Sequence, residues 1–251
     1  MYSTSVRITP PFPINLRNVV SAWKRGNSDP LTRTSSNPDA LWTTTAQGST
    51  NIIVRFHQKK AEASTLAETY LAPIDVRLWS ERTSQALTDI ETALSSMHRW
   101  VGTLDNWETF EKSAAWRLLP PSLIRSRQEH PGGVRLGATG EVFKNAVASI
   151  TEQRVTGIEA MGGLRAILRQ TTAPVPATGL ADQPQGPVFF PSPAIFASLP
   201  SWVWHRAGYD RARSATIVEL ARRAPSIEKI GEEQSSLQLA RALASIRGIG
   251  P

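Results

Sequence analysis

The sequence predicts an α+β fold: an amino-terminal mixed α/β domain with a small antiparallel sheet, residues 1–131, then an all-helical domain, residues 132–251. β-favouring runs separated by polar turns stop after Trp79. Apolar residues at helical spacing dominate from Thr139 onward. Between them, His130-Pro131-Gly132-Gly133 gathers chain breakers where the pattern changes, which marks a domain boundary.

Each element has its own signal. Leu16, Val19, Val20 and Trp23 make one short helical face, closed by Lys24-Arg25-Gly26-Asn27. Residues 41–45, 52–56 and 74–79 read as strands, with turns at Gln47-Gly48-Ser49 and His57-Gln58-Lys59-Lys60. The start, residues 1–13, is polar and proline-rich. Residues 84–96 are helical through Leu87, Ile90 and Leu94, and 100–128 form a tryptophan-bearing, loosely helical connector broken at Pro120-Pro121. Phe143, Ala146, Val147 and Ile150 line a helix expected to continue through 151–156, and a second helix at 158–170 shows Ala160, Leu164, Ile167 and Leu168.

A long loop rich in proline, glycine and alanine follows at 171–191, either a tolerated surface excursion or a functional one. Ser192-Pro193 opens a helix as N-cap and first helical residue. Residues 201–208 make a short turn of helix stopped by Gly208. Asp210 caps the next helix, whose face is Ile217, Leu220, Ala221 and Ala224 and whose expected end is Pro225. The last helix presents Leu239, Ala242, Leu243 and Ile246 on one side and is ended by Gly248.

Composition narrows the function classes. At 251 residues and 40% hydrophobic, the chain can build one large or two small cores. Its 28 Lys and Arg against 21 Asp and Glu give a formal charge of +7 and a pI near 10.2. That balance suits a polyanion such as DNA or RNA, though basic proteins without such a partner also show it. With no cysteine, disulfides, thiolate zinc sites, cysteine nucleophiles and iron–sulfur clusters are excluded. His57, His98, His130 and His205 are scattered without metal-ligand spacing, so neither metal nor cofactor is expected. No apolar run approaches the roughly 18 residues of a membrane span, and no basic-then-apolar leader is present. A monomeric, cytoplasmic, nucleoid-associated protein is the expectation.

Gly248-Ile249-Gly250 is the most suggestive short motif. Two glycines carry no side chain to fend off a phosphate, Ile249 can tuck into the core, and free N–H groups in a turn suit an anion. Pro251 suits the first position of a following helix. Taken alone, such a turn is equally a helix C-cap running into a loose end.

The order of segments adds to it. Thr139-Gly140-Glu141-Val142-Phe143, then Glu152-Gln153-Arg154-Val155-Thr156-Gly157, then Leu199-Pro200-Ser201-Trp202-Val203-Trp204-His205-Arg206-Ala207-Gly208, then Arg211-Ala212-Arg213-Ser214-Ala215-Thr216-Ile217, and finally Gly248-Ile249-Gly250-Pro251, resembles the helix-hairpin-helix DNA glycosylase superfamily, in its actinobacterial 3-methyladenine branch. The resemblance is weak before Thr83 and good from Gly133 onward. It implies an α/β domain before a helical one, and duplex DNA with an alkylated purine as partner. The activity implied is extrusion of that base and hydrolysis of its glycosidic bond.

The family's catalytic aspartate follows the second hairpin helix, and the sequence ends where that helix would begin. The resemblance therefore implies a chain truncated at the hairpin, without its last helices and inactive as given. A non-catalytic DNA-binding module and a decayed gene product stand as alternatives. With the later helices missing, the Leu239, Leu243 and Ile246 face is expected to stay exposed, leaving a poorly soluble or molten carboxy-terminal half.

The resemblance also implies site residues. Gly248, Ile249 and Gly250 would grip a phosphate, and Arg247 stands where the family usually has proline. Gln153 would enter the duplex near the flipped base, or is a helix-surface glutamine. Arg154 and Thr156 would touch phosphate or groove, or be solvated. Arg211 and Arg213 sit in the first turn of a helix against an unfavourable dipole, which hints at an anion there. Trp202 and Trp204 would stack on a base or line its pocket; two residues apart, they cannot share one helical face, so one of them is expected in the core, with Trp202 favoured over Trp204 by a small margin.

Overall fold

A computed structural model describes residues 1–26, 29–59, 65–130, 132 and 135–250. Of the expected turn and boundary positions, Asn27, Lys60, Pro131, Gly133 and the final Pro251 lie outside the described residues. The architecture is α+β, with a five-stranded antiparallel sheet and many helices. Two compact units divide the chain: Met1–Asn27 with Leu31–Thr139 and Pro176–Pro187, and Ser28–Pro30 with Gly140–Val175 and Val188–Pro251.

The first unit contains β1 (Tyr2–Ile8), α1 (Leu16–Ser21), β2 (Thr32–Thr34), β3 (Ala40–Gln47), β4 (Thr50–His57), α2 (Leu66–Thr69), β5 (Ile74–Ser80), α3 (Ala86–Trp100), α4 (Trp107–Glu111), α5 (Ala114–Arg117) and α6 (Pro121–Glu129). Strand order is β1-β5-β4-β3-β2, antiparallel throughout. Gly48, at φ +57°, closes the β3–β4 hairpin, where Gln47 pairs with Thr50. Strand residues Ile52, Val54, Phe56, Val76 and Leu78 share one buried cluster with Val19 and Val20 of α1 and with Ile90, Met97 and Trp100 of α3.

Two strands were not legible in the sequence. Along β1, residues alternate half-buried and exposed with apolar weight only at Tyr2, Val6 and Ile8, so its pairing with β5 is what fixes it. β2 spans 3 residues, too few for a period. The long loop is anchored where it rejoins this unit, through an Arg55–Asp182 ion pair of 2.8 Å between side chains each 17% exposed.

The second unit contains α7 (Val142–Thr151), α8 (Gly157–Thr171), α9 (Pro193–Ser198), α10 (Ser201–Arg206), α11 (Arg211–Glu233) and α12 (Ser236–Ala244). Three expectations are corrected here. α7 stops at Thr151 instead of running on to 156, because Arg154 takes φ +60° and Thr156 caps a new helix. α11 runs straight through Pro225 for 23 residues. An interior proline costs about 3 kcal/mol, and complete burial of Ala224 and Ile227 on either side offsets it.

The third correction concerns the last helix. It folds back on α11, with Ile246 buried at 1% exposure and Leu239 and Leu243 half-buried, so the expected bare apolar face is largely covered. No helix among the described residues is long and apolar enough to cross a membrane.

Glu228 of α11 caps α7 from outside: its carboxylate accepts from Val142 N at 3.1 Å and Phe143 N at 2.7 Å. Burial pushes this carboxyl above the usual range, while the two N–H groups pull it back. Glu228→Ala leaves Phe143 N without a partner and Val142 N with only Gly140 O at 3.0 Å, and is expected to cost about 1–3 kcal/mol, measured as a drop in urea midpoint with the m-value unchanged.

Candidate nucleic-acid interface

Three stretches of the second unit come together: the α7–α8 turn, the first turns of α11, and the turn after α12. Asp210 accepts from Arg213 N at 2.9 Å and so caps α11. Arg213 turns back along the same helix. Its Nε donates to Asp210 Oδ2 at 2.7 Å, one terminal nitrogen to Thr151 O at 3.2 Å and the other to Gly208 O at 3.0 Å. The guanidinium also lies 5.3 Å from the Tyr209 ring centre. It thereby joins the end of α7 to the start of α11.

Arg213 is 6% exposed. Its assignment to DNA is therefore corrected: the anion that offsets the helix dipole is Asp210, and every arm of the fork is already occupied. Beside it, the Tyr209 hydroxyl bonds Thr151 Oγ1 at 2.9 Å, and burial pushes that phenol up to about 12. Gly163 of α8 lets the helix approach this corner, since a Cβ would lie 2.7 Å from Ala207 O.

The tryptophans divide as their spacing requires, but opposite to the expected sense: Trp204, not Trp202, is the core member. At 2% exposure it packs edge-on against Tyr209, ring centres 5.1 Å apart, and against Phe196 at 6.0 Å. A base cannot stack on it as it stands, which corrects its assignment. Trp202, 60% exposed, is the free ring.

Thr156 is exposed and serves the start of α8. Its hydroxyl and N–H both donate to Glu159 Oε2, at 2.9 and 3.0 Å, in a reciprocal capping box. These bonds hold the exposed Glu159 carboxyl below its usual range. Thr156 thus starts α8 and keeps no proton free for a phosphate.

The turn after α12 is built as its glycines suggested. Ile246 is buried and Ile249 half-buried, while Arg247, Gly248 and Gly250 are exposed. Gly248 takes φ +96°, and a Cβ there would overlap the Thr216 hydroxyl of α11. Thr216 Oγ1 lies 3.0 Å from Arg247 O, Gln153 Nε2 donates to Gly248 O at 3.1 Å, and Ile249 N donates to Ile246 O at 3.0 Å. Among the described residues, the N–H groups of Gly248 and Gly250 have no acceptor.

Gln153 and the Gly-Ile-Gly turn, singled out separately in the sequence, thus meet side chain to main chain. Arg154 follows directly, exposed, in a left-handed conformation that no other non-glycine among the described residues adopts. Arg211 and Arg247 are exposed too, and none of these three guanidinium groups has an ion-pair or hydrogen-bond partner among the described residues. Sequence reasoning missed Thr216 and Arg223, whose Nη2 donates to Ser245 Oγ at 2.9 Å. Both act across more than twenty residues of chain, and only the α11–α12 packing reveals them. No group of three or more His, Asp or Glu among the described residues is placed to hold a metal ion.

No family model and no curated protein matches the chain. Solved structures do. A 3-methyladenine DNA-glycosylase from Archaeoglobus fulgidus superposes with a TM-score of 0.70 at 15% identity, over 98% of this chain and 75% of that one. The 8-oxoguanine glycosylase/lyase of Clostridium acetobutylicum in its apo form gives 0.61 at 12% identity, over 100% and 75%. The same enzyme bound to double-stranded DNA containing cytosine opposite 8-oxoG gives 0.59 at 11%, over 100% and 74%. At such identities the likeness is one of fold: this chain is folded like DNA glycosylases.

Proposed function

We propose that this chain is a base-excision-repair protein of the helix-hairpin-helix glycosylase type, which grips the backbone of duplex DNA through the turn after α12. The observation that carries the reading is the exposed Gly248–Gly250 turn, with two unspent N–H groups beside Arg247 and with Arg154 adjoining the glutamine that holds it. Arg211 adds a third unpaired cation, and Trp202 is the ring free to meet an unstacked base. The fold likeness to DNA glycosylases supports the same assignment.

We propose further that the lesion is an alkylated purine, that the kinship is with the actinobacterial 3-methyladenine branch, and that residues 132–251 form the glycosylase domain. A monomeric protein of the cytoplasm, associated with the nucleoid, completes the proposal. No carboxylate is assigned as catalytic. Asp210 is taken by the α11 cap and Arg213, and Asp182 by Arg55. These engagements favour, as a second reading, a DNA-binding module without chemistry.

One experiment separates the readings: duplex binding across a salt series alongside release of 3-methyladenine or 7-methylguanine from alkylated DNA. Affinity is expected to fall steeply with salt, with no base released by these 251 residues. Base release would assign a working glycosylase, and salt-insensitive or absent binding would remove the DNA reading altogether.

A further inference from the structure

Thr216 sits one turn inside α11, 6% exposed, in a stretch whose neighbours Arg213 and Ile217 are spent on the core. Its hydroxyl carries a single proton between two carbonyls at 3.0 Å, those of Ala212 and Arg247. Ala212 lies within α11, where the helical ladder already supplies a donor to its carbonyl. Arg247 lies in the turn, where no other donor reaches its carbonyl among the described residues. The proton is therefore worth more on Arg247.

Peptide planarity turns this contact into a directional one. No described peptide is cis, so the carbonyl of one residue and the N–H of the next point opposite ways. With Arg247 O held down on Thr216, the N–H of Gly248 is aimed away from α11, into the solvent that surrounds this exposed glycine. Gln153 takes up the next carbonyl, Gly248 O, while the Ile249 N–H of that same peptide turns inward to Ile246 O. The carbonyls of Arg247 and Gly248 are thus taken by protein donors, and the Gly248 N–H is left facing outward.

We propose that Thr216 is a positioning residue for backbone binding: its hydroxyl fixes the Arg247–Gly248 peptide so that the Gly248 N–H faces a DNA phosphate, with Gln153 as the second clamp. This rests on the reading of the turn as a duplex-binding element. Thr216 itself touches no DNA. Its packing against Gly248 also sets the side-chain size that the site tolerates, since the glycine lies directly over the hydroxyl and methyl.

The test compares Thr216→Val, which keeps the shape and removes the hydroxyl, with Thr216→Ser, which keeps the hydroxyl. Binding of an undamaged duplex is measured, together with the Gly248 amide resonance during the titration. Thr216→Val should weaken binding about tenfold, the equivalent of one hydrogen bond to a charged acceptor, and abolish the Gly248 shift while the rest of the amide spectrum stays in place. Thr216→Ser should retain both.

If wild-type protein binds duplex but its Gly248 amide does not move, or if Thr216→Val binds as wild type, the positioning role is overturned and the DNA reading survives. If Thr216→Ser loses binding as Thr216→Val does, the hydroxyl is not the cause and the role is again overturned. Wild-type protein that shows no salt-sensitive binding overturns both.

Discussion

Gly248→Ala is expected to remove duplex binding while leaving the rest of the fold in place. At φ +96° an alanine is strained, and its Cβ would run into the hydroxyl, Cβ and methyl of Thr216, atoms of a buried side chain on a long helix. A left-handed non-glycine residue costs about 1–3 kcal/mol, and here relief requires the turn to lift off α11. Lifting it breaks the Thr216 and Gln153 contacts together, so the N–H groups lose their direction. Duplex affinity should fall more than tenfold, as about 1.4 kcal/mol of lost binding already implies.

Gly250→Ala supplies the control. Gly250 has open space around its Cβ position and no left-handed φ, so the substitution should fold as wild type. Thermal unfolding and duplex titration of the two variants check this. Equal losses in both would show that flexibility, and not the fit over Thr216, is what the glycines supply.

Arg213→Ala should be the most destabilising single change in the second unit, at about 2–4 kcal/mol. It removes donors from Thr151 O and Gly208 O, opens a void beside Tyr209, and frees Asp210 from its partner. The ion pair itself contributes modestly, since the Asp210 side chain is 51% exposed. Arg213→Lys should recover little, because a single ammonium cannot reach the places served by the planar fork.

The pH dependence has a definite sign. Asp210 is held below the usual carboxylate range, first by the Arg213 backbone N–H and then by its guanidinium. A depressed folded-state value contributes stability above the unfolded carboxylate range, and that stability is lost as pH falls through the folded value. Acid unfolding of wild type should therefore carry this contribution, and Arg213→Ala, which removes the guanidinium but keeps the backbone N–H, should flatten that limb in part. An Arg213→Ala protein as stable as wild type, with the same acid limb, would contradict the assignment of Arg213 as an internal tie.

Much of this arrangement was legible before the structure. The β3–β4 hairpin, Asp210 as a cap, and the exposed Gly-Ile-Gly turn follow from local chemistry, because a turn glycine or a capping aspartate acts within a few residues of itself. What sequence could not show was contact between distant segments. Arg213 read as a bare cation at a helix start; its fork reaches Thr151, and that acceptor is fixed by packing. Trp204 and Trp202 were distinguishable only as a pair, since two positions apart they must face differently, and the cluster of Phe196 and Tyr209 decides which one is core. α11 ran past Pro225 because buried neighbours outweigh a local propensity. Thr216 gave no signal of its own, being one of several small residues on an amphipathic helix.

The claim on which the account depends is that the turn after α12 holds a DNA phosphate through main-chain N–H groups with Arg247 at its side. The most direct measurement is duplex affinity against salt concentration for wild type and for Arg247→Gln. The account predicts a steep, linear loss of log affinity with log salt in wild type and a slope shallower by about 0.9 in the variant, one phosphate contact fewer. Identical slopes, or a wild-type affinity indifferent to salt, would contradict it.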